Sequence, residues 1–196
     1  MGTVLNGVDV ETLRQLLEEV RSHPEAIQSQ RWARFRWEEG LRGRVYIRNQ
    51  SFPVDESVDR SGREAGLSAL EYVLGALGAC LGLGFIFHAT RRGITVRNLE
   101  VALEGRIDNL LRFLGFEGEG QPGYREVIVK AYVDADADEG TLQALWEETV
   151  ATSPVGNTFA RPVALRTEIA TVSGWWFRYS PESEEGLSGS RGGMPC

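Results

Sequence analysis

The sequence predicts an α+β protein in which antiparallel strands surround one long apolar helix. Strand patterns occur in runs between the helices rather than in strict alternation with them, which is typical of α+β domains. The stretch 67–90 is apolar on nearly every face, as expected of a helix inside a core. A chain of 196 residues can bury such a helix without the help of disulfides.

The first half of the chain contains three recognisable patterns. Residues 9–21 have apolar side chains at helical spacing behind Asp9, a typical N-cap residue, and Pro24 follows this amphipathic helix. Two alternating runs, 33–38 and 44–48, flank a turn at Gly40 and predict a β-hairpin with one arginine-rich face. The polar residues 49–66, interrupted by Pro53, predict a loop.

The second half continues with strands and one more helix. Alternation at 94–103 and 127–133 predicts two strands, joined by the connection 109–123. Residues 138–152 predict an amphipathic helix, and 162–172 predict a last strand. We therefore expect a helical extension over 1–29, a folded domain over 30–172, and a largely disordered tail over 173–196 that is too poor in apolar residues to pack.

Composition excludes several classes of function. The net charge of −7 disfavours binding to nucleic acid, and the first residues lack a secretory signal pattern, so a cytoplasmic protein is expected. The uncharged run 72–90 has the length of a membrane span, but its glycines lower its lipophilicity and its surroundings are typical of a soluble protein. With two histidines and neither CxxC, HExxH nor a phosphate loop, no metal and no cofactor is expected.

Cys80, in the run ALGACLG, is the residue most able to carry chemistry. A small thiol in an apolar helix is equally consistent with packing, and its reactivity would require a nearby cation or hydrogen-bond donors. Glu71 and His88 lie nine residues before it and eight after it, about 12–13 Å along one straight helix, so neither can touch the thiol directly. Glu71 is alternatively a first-turn charge favoured by the helix dipole, and His88 a C-terminal capping residue together with Arg91 and Arg92.

Two segments carry a resemblance to a known family. These are SALEYVLGALGACLGLGFIFHATRRGITVRNLEVALEGRID (68–108) and TSPVGNTFARPVALRTEI (152–169). Together they resemble the OsmC/Ohr family of osmotically inducible and organic-hydroperoxide-resistance proteins, over roughly residues 30–172. The resemblance implies an intertwined homodimer, with antiparallel sheets wrapped around the central helices and active sites at the subunit interface.

The family's chemistry is the thiol-dependent reduction of organic hydroperoxides. The resemblance places the peroxide-attacking cysteine at Cys80 and the resolving cysteine at Ser153, so this chain resembles a branch that lacks the second cysteine. It also implies that Glu71 and an arginine of the hairpin, Arg42 or Arg44, position the thiolate.

The match at Glu71 is imperfect, because the hydroperoxide-reducing branch has its glutamate one position earlier, at Leu70. Cys196 is a further candidate for the resolving role, but it stands at the end of a Gly/Ser-rich tail without fixed geometry.

Three hypotheses about function follow. The first is a one-cysteine peroxidase regenerated by an external thiol, in which apolar neighbours of Cys80 form a pocket for a hydrophobic peroxide. Those neighbours are Leu77, Leu81 and Phe85. The second is a non-catalytic family member that binds a small apolar ligand at the dimer interface, with Cys80 only lining the pocket. The third is a structural dimeric scaffold.

Overall fold

The computed structural model describes residues 3–23, 30–57 and 62–171. They form two compact units. The first unit contains residues 3–23 and 69–162, and the second contains 30–57, 62–68 and 163–171. The predicted tail 173–196, which includes Cys196, lies outside the described residues.

The described residues contain four α-helices, seven strands and a short 3₁₀ helix at Leu110–Arg112. In chain order the elements are β1 (Val4–Leu5), β2 (Val8–Asp9), α1 (Val10–Ser22), β3 (Arg34–Glu39), β4 (Arg42–Ile47), β5 (Gln50–Val54), α2 (Ala69–Arg91), β6 (Val96–Ile107), β7 (Tyr124–Ala135), α3 (Glu139–Thr152) and α4 (Pro154–Ala160). The strands pair antiparallel as β1–β2, β3–β4–β5 and β6–β7. The predicted α+β class is confirmed.

Both amphipathic helices begin at an aspartate N-cap, of which Asp9 was predicted as a cap and Asp138 only as the start of its helix. The Asp9 carboxylate accepts from the Thr12 amide of α1 at 2.8 Å, and the Asp138 carboxylate accepts from the Thr141 amide of α3 at 2.9 Å. Each bond satisfies an amide that has no partner inside the helix. The helix predictions for 9–21 and 138–152 are therefore confirmed.

The first unit opens with a short hairpin that our sequence analysis missed. β1 and β2 are joined by Asn6 and Gly7, which have φ values of 51° and 77°. Asn-Gly favours this left-handed turn geometry, so the signal was present in the sequence. The Asn6 side chain donates to Thr90 Oγ1 and to the Ile94 carbonyl and accepts from the Val96 amide, which attaches the hairpin to α2 and β6.

The second unit contains the predicted arginine-rich hairpin, β3–β4. The structure differs from the prediction in two other segments. Residues 50–54, predicted as loop, form the edge strand β5, in which Pro53 lies opposite Arg44. An edge strand tolerates proline because one of its sides needs no ladder hydrogen bond. The predicted strand at 162–172 is wrong for the described residues 162–171, which lack a paired strand to bond their backbone.

Helix α2 packs along part of its surface against β6, α3 and α4. Gly78 faces Leu103, Gly82 faces Val101 and Gly84 faces Thr149, so the absence of side chains at these glycines lets β6 and α3 approach α2 closely. The core of the unit lies near the end of the helix and contains Phe85, Ala89, Ile94 and Leu145. By length and composition α2 could span a bilayer, and Val73 and Leu83 are exposed in the single chain.

Candidate functional site

Cys80 and Ser153 lie in direct contact in the first unit. The Ser153 hydroxyl donates a hydrogen bond to Cys80 Sγ, with 3.2 Å between oxygen and sulfur. Cys80 is half-buried, whereas Ser153 is buried. The structure thus brings together the two positions that the resemblance assigns to the attacking and the resolving cysteine. Serine has no sulfur and cannot form a disulfide with Cys80, so its hydroxyl can act on the thiol only as a hydrogen-bonding group.

Ser153 is held by the junction between two helices. It is the C-cap of α3 and the N-cap of α4, and its hydroxyl accepts from the Gly156 amide at 3.0 Å while it donates to Cys80. Helix α4 was not predicted, although a serine followed by a proline at the first helical position is a recognised helix start. The junction fixes the hydroxyl because both helices share this residue.

His88 is buried between α2 and α3 rather than serving as an exposed helix cap. Its Nε2 lies 2.9 Å from Thr152 Oγ1, and its Nδ1 lies 3.4 Å from the Glu148 carboxylate, which also pairs with Arg92. Burial lowers the pKa of His88 below 6.5, and the positive charges of Arg91 and Arg92 lower it further, against the opposing effect of Glu148. His88 is therefore neutral at neutral pH.

Glu71 lies in the first turn of α2, near Tyr124. The Tyr124 hydroxyl donates to the Leu70 carbonyl at 2.9 Å, and burial, followed by the charge of Glu71, raises the pKa of Tyr124. Because α2 is a continuous helix, Glu71 and Cys80 are separated by about 13 Å along its axis. The structure does not bring these two side chains together, and the predicted role of Glu71 stays a prediction.

Arg42 and Arg44 both lie on β4 in the second unit. Arg42 Nε is 3.2 Å from one carboxylate oxygen of Glu38, and Arg44 Nε donates to the other oxygen at 3.2 Å. Arg42 also pairs with Glu39. Each guanidinium is thus partly neutralised within its own sheet, and the predicted role of Arg42 or Arg44 at the thiol stays a prediction.

The residues predicted to line a pocket are core residues instead. The solvent-accessible fractions of Leu77, Leu81 and Phe85 are only 5%, 3% and 1%. An open groove of about 620 Å³ does run beside α2, and it is lined by other residues, among them Gly82, Leu83 and Val101.

Within the part of the chain that the structure describes, no group of three or more metal-ligating side chains comes together. The candidate reactive group of the first unit is the Cys80 thiol with its hydroxyl donor.

The comparisons with known proteins agree with this fold. The family model of the OsmC-like proteins matches residues 62–168. No curated protein matches the chain significantly. An OsmC-like protein from Mycoplasma pneumoniae superposes with a TM-score of 0.59 at 16% identity, over 68% of this chain and 89% of that one. An OsmC-like protein of unknown function from Vibrio cholerae gives 0.57 at 13% identity, over 67% and 94%.

A third similar structure is described as an organic hydroperoxide resistance protein OsmC from Legionella pneumophila. It superposes with a TM-score of 0.52 at 13% identity, over 67% of this chain and 89% of that one. At these identities the structural matches establish the shared fold, and the family model covers more than half of the chain. The resemblance found in the sequence is confirmed, and the chain belongs to the family of OsmC-like proteins.

Proposed function

We propose that this protein reduces organic hydroperoxides with a single cysteine, Cys80, which an external thiol regenerates. The observation that supports this proposal best is the hydrogen bond from the Ser153 hydroxyl to Cys80 Sγ. Such a donor stabilises the thiolate, which is the nucleophilic form, and Cys80 is only half-buried. Membership of the OsmC-like family, with an organic hydroperoxide resistance protein among its structural matches, supports the same chemistry.

The proposed cycle has three balanced steps. The Cys80 thiolate attacks the terminal oxygen of the hydroperoxide, the O–O bond breaks, and the alcohol leaves with a proton from solvent, so that Cys80 becomes a sulfenic acid. A small external thiol then attacks this sulfur, which releases water and forms a mixed disulfide. A second external thiol restores Cys80 and departs as the disulfide of the two small thiols. Ser153 provides no electrons to this cycle.

Glu71 and one of the two β4 arginines, Arg42 or Arg44, complete the proposal as groups that orient the reactants. A carboxylate about 13 Å from the thiol along α2 cannot touch Cys80 directly. In this proposal Glu71 therefore acts on the arginine or on the bound peroxide.

We propose that the active form is a homodimer in the cytoplasm, where small thiols are kept reduced. Exposed apolar side chains on α2 and on the segment 163–171 support assembly, since a second copy would remove them from water. Among them are Leu83, Leu165 and Ile169. Sedimentation equilibrium tests this part, and a monomer at micromolar concentration would contradict it.

The chemistry is tested by the rate of Cys80 oxidation in a Cys196→Ser protein. Cumene hydroperoxide and hydrogen peroxide are compared, and the sulfenic acid is trapped and identified by intact mass. We expect the organic peroxide to react faster, no trapped product in Cys80→Ser, and a rate lower by about ten-fold in Ser153→Ala because a hydrogen bond to a charged acceptor is lost. Oxidation no faster than that of free cysteine would contradict the proposal.

The second candidate is a non-catalytic protein that binds a small apolar ligand, and the groove beside α2 favours it. Its volume of about 620 Å³ suits a small molecule, and its lining includes Leu83 and Val101. Retention of a fluorescent apolar probe by the Cys80→Ser protein, weakened in Leu83→Asp, would support this candidate. Probe binding together with slow Cys80 oxidation would favour it over the peroxidase.

A further inference from the structure

One stripe of α2 faces α3 and includes a thiol and an imidazole. Cys80, Gly84 and His88 follow one another at intervals of four residues and so lie close to one line along the helix. Opposite them stand three hydroxyl-bearing residues of α3 and its C-cap, namely Thr149, Thr152 and Ser153. Ser153 contacts Cys80, Thr149 faces Gly84, and Thr152 contacts His88. We call these six residues the hydroxyl seam.

The hydrogen bonds of the seam assign the proton on His88. The Thr152 hydroxyl donates to the Glu148 carbonyl at 2.7 Å, so it can only accept from the imidazole. Nε2 of His88 therefore carries the proton and donates to Thr152 at 2.9 Å. Among the described residues, Nδ1 is buried with no hydrogen-bond partner and lies 3.4 Å from the Glu148 carboxylate.

The bond between His88 and Thr152 holds the last turn of α3, directly before Ser153. Thr152 is the last residue of α3, and Ser153 follows it as the single residue between α3 and α4. Its Oγ has a fixed position only if the last turn of α3 is fixed. His88 is attached to this turn through Thr152, and Arg92 is attached to it through Glu148.

We propose that His88 is a positioning residue for the Cys80 thiol: its Nε2–H fixes Thr152 and so keeps the Ser153 hydroxyl within hydrogen-bond distance of Cys80 Sγ. The inference rests on the proposed function only in taking Cys80 as the reacting thiol. His88 does not touch the sulfur, because it lies about 12 Å farther along α2. Its effect on the thiolate must therefore pass through Ser153.

The test measures the thiolate fraction of Cys80 at about pH 8 in a Cys196→Ser background. Thiolate absorbance in the ultraviolet is taken as the difference from the matching Cys80→Ser protein, which removes the tyrosine contribution. From the measured fraction, the ratio of thiolate to thiol is expected to fall about ten-fold in Ser153→Ala and at least about three-fold in His88→Leu, since each removes all or part of one charge-assisted hydrogen bond. His88→Gln retains an N–H donor at the position of Nε2. Because the bond to Thr152 is kept, the thiolate-to-thiol ratio of Cys80 in this variant is expected to stay within about two-fold of the parent's.

A double-mutant cycle separates positioning from a general structural effect. If His88 acts through Ser153, then His88→Leu has no further effect in the Ser153→Ala background. An undiminished effect there, or an unchanged thiolate fraction in folded His88→Leu, would overturn the proposal. If His88→Leu does not fold, Thr152→Val tests the same bond from the exposed side, and an unchanged fraction in that variant would overturn the proposal equally.

The measurement uses no peroxide, so its failure is distinguishable from failure of the proposed function. Slow reaction of Cys80 with hydroperoxides would refute the peroxidase and leave the role of His88 standing. A peroxidase whose thiolate is indifferent to His88 would refute only the present inference.

Discussion

In a Cys196→Ser background, Ser153→Cys should place a second cysteine beside Cys80. The serine oxygen is 3.2 Å from Cys80 Sγ. A sulfur in the same rotamer lies about 0.4 Å farther from its Cβ than the oxygen does, and the S–S bond is about 2 Å long, so the new sulfur must move by roughly 1 Å. Rotation about χ1 and small adjustments of the α3–α4 junction supply such a shift. We therefore expect an intramolecular disulfide after oxidation.

The size of the stabilisation follows from the length of the closed loop. The two residues are 73 positions apart, for which loop-closure entropy gives an upper value of about 4 kcal/mol. Replacing the Ser153 N-cap costs about 1 kcal/mol, but this loss is present in both redox states of the variant. The oxidised variant should thus melt about 10 °C above the reduced variant.

The assay oxidises Ser153→Cys, in a Cys196→Ser background, with one equivalent of cumene hydroperoxide. Intact mass should show the loss of two hydrogens, and thiol titration should find no free cysteine. Thr158→Cys is the matched control, because its side chain is exposed on α4 and bonds to the Pro154 carbonyl instead of reaching Cys80. A folded Ser153→Cys protein that forms no intramolecular disulfide would refute the contact on which the site is built.

Three further predictions concern stability. Asn6→Ala should lower the free energy of unfolding in urea by about 2–3 kcal/mol, because it removes three hydrogen bonds and leaves a left-handed backbone without asparagine; a loss below about 0.5 kcal/mol would contradict this. Gly105→Ala should cost about 1–3 kcal/mol, since its Cβ would come within 2.3 Å of the Tyr124 ring, whereas Gly123→Ala, with open space around it, should not show this clash. Because burial lowers the pKa of His88 below 6.5 in the folded state, the unfolded state binds more protons between the two pKa values. The contribution of neutral His88 to stability is therefore complete above the unfolded-state pKa of about 6.5 and is lost as pH falls from there through the folded-state pKa. Melting temperatures of the parent and His88→Gln should diverge over this range, and parallel curves would contradict a neutral, buried His88.

Local patterns predicted most of the fold. Asp9 and Asp138 accept hydrogen bonds from backbone amides three residues farther along the chain. Such local contacts can be predicted from a short stretch of sequence. The strand at 162–172 failed because alternation describes a side-chain pattern, while a strand also requires a neighbour for its backbone. The edge strand β5 was missed because Pro53 weighs against a strand unless its place at the edge of the sheet is known.

The site depends on contacts that no local pattern contains. The Cys80–Ser153 pair joins residues 73 positions apart, and only the family resemblance indicated it. The bond from His88 to Thr152 spans 64 positions, and a histidine near a helix end is more simply interpreted as a cap. Its burial follows from the packing of α3 on α2, which the sequence could not supply.

The shared hydroxyl at the α3–α4 junction has a consequence for measuring local order. One oxygen both starts the seven-residue helix α4 and faces the thiol, so transient opening of that helix releases the hydroxyl from its fixed place. The reactivity of Cys80 then becomes a chemical gauge of how often this short segment opens. Alkylation rates recorded across a denaturant series, set beside amide hydrogen exchange at Gly156, would report the free energy of that opening without unfolding the rest of the chain.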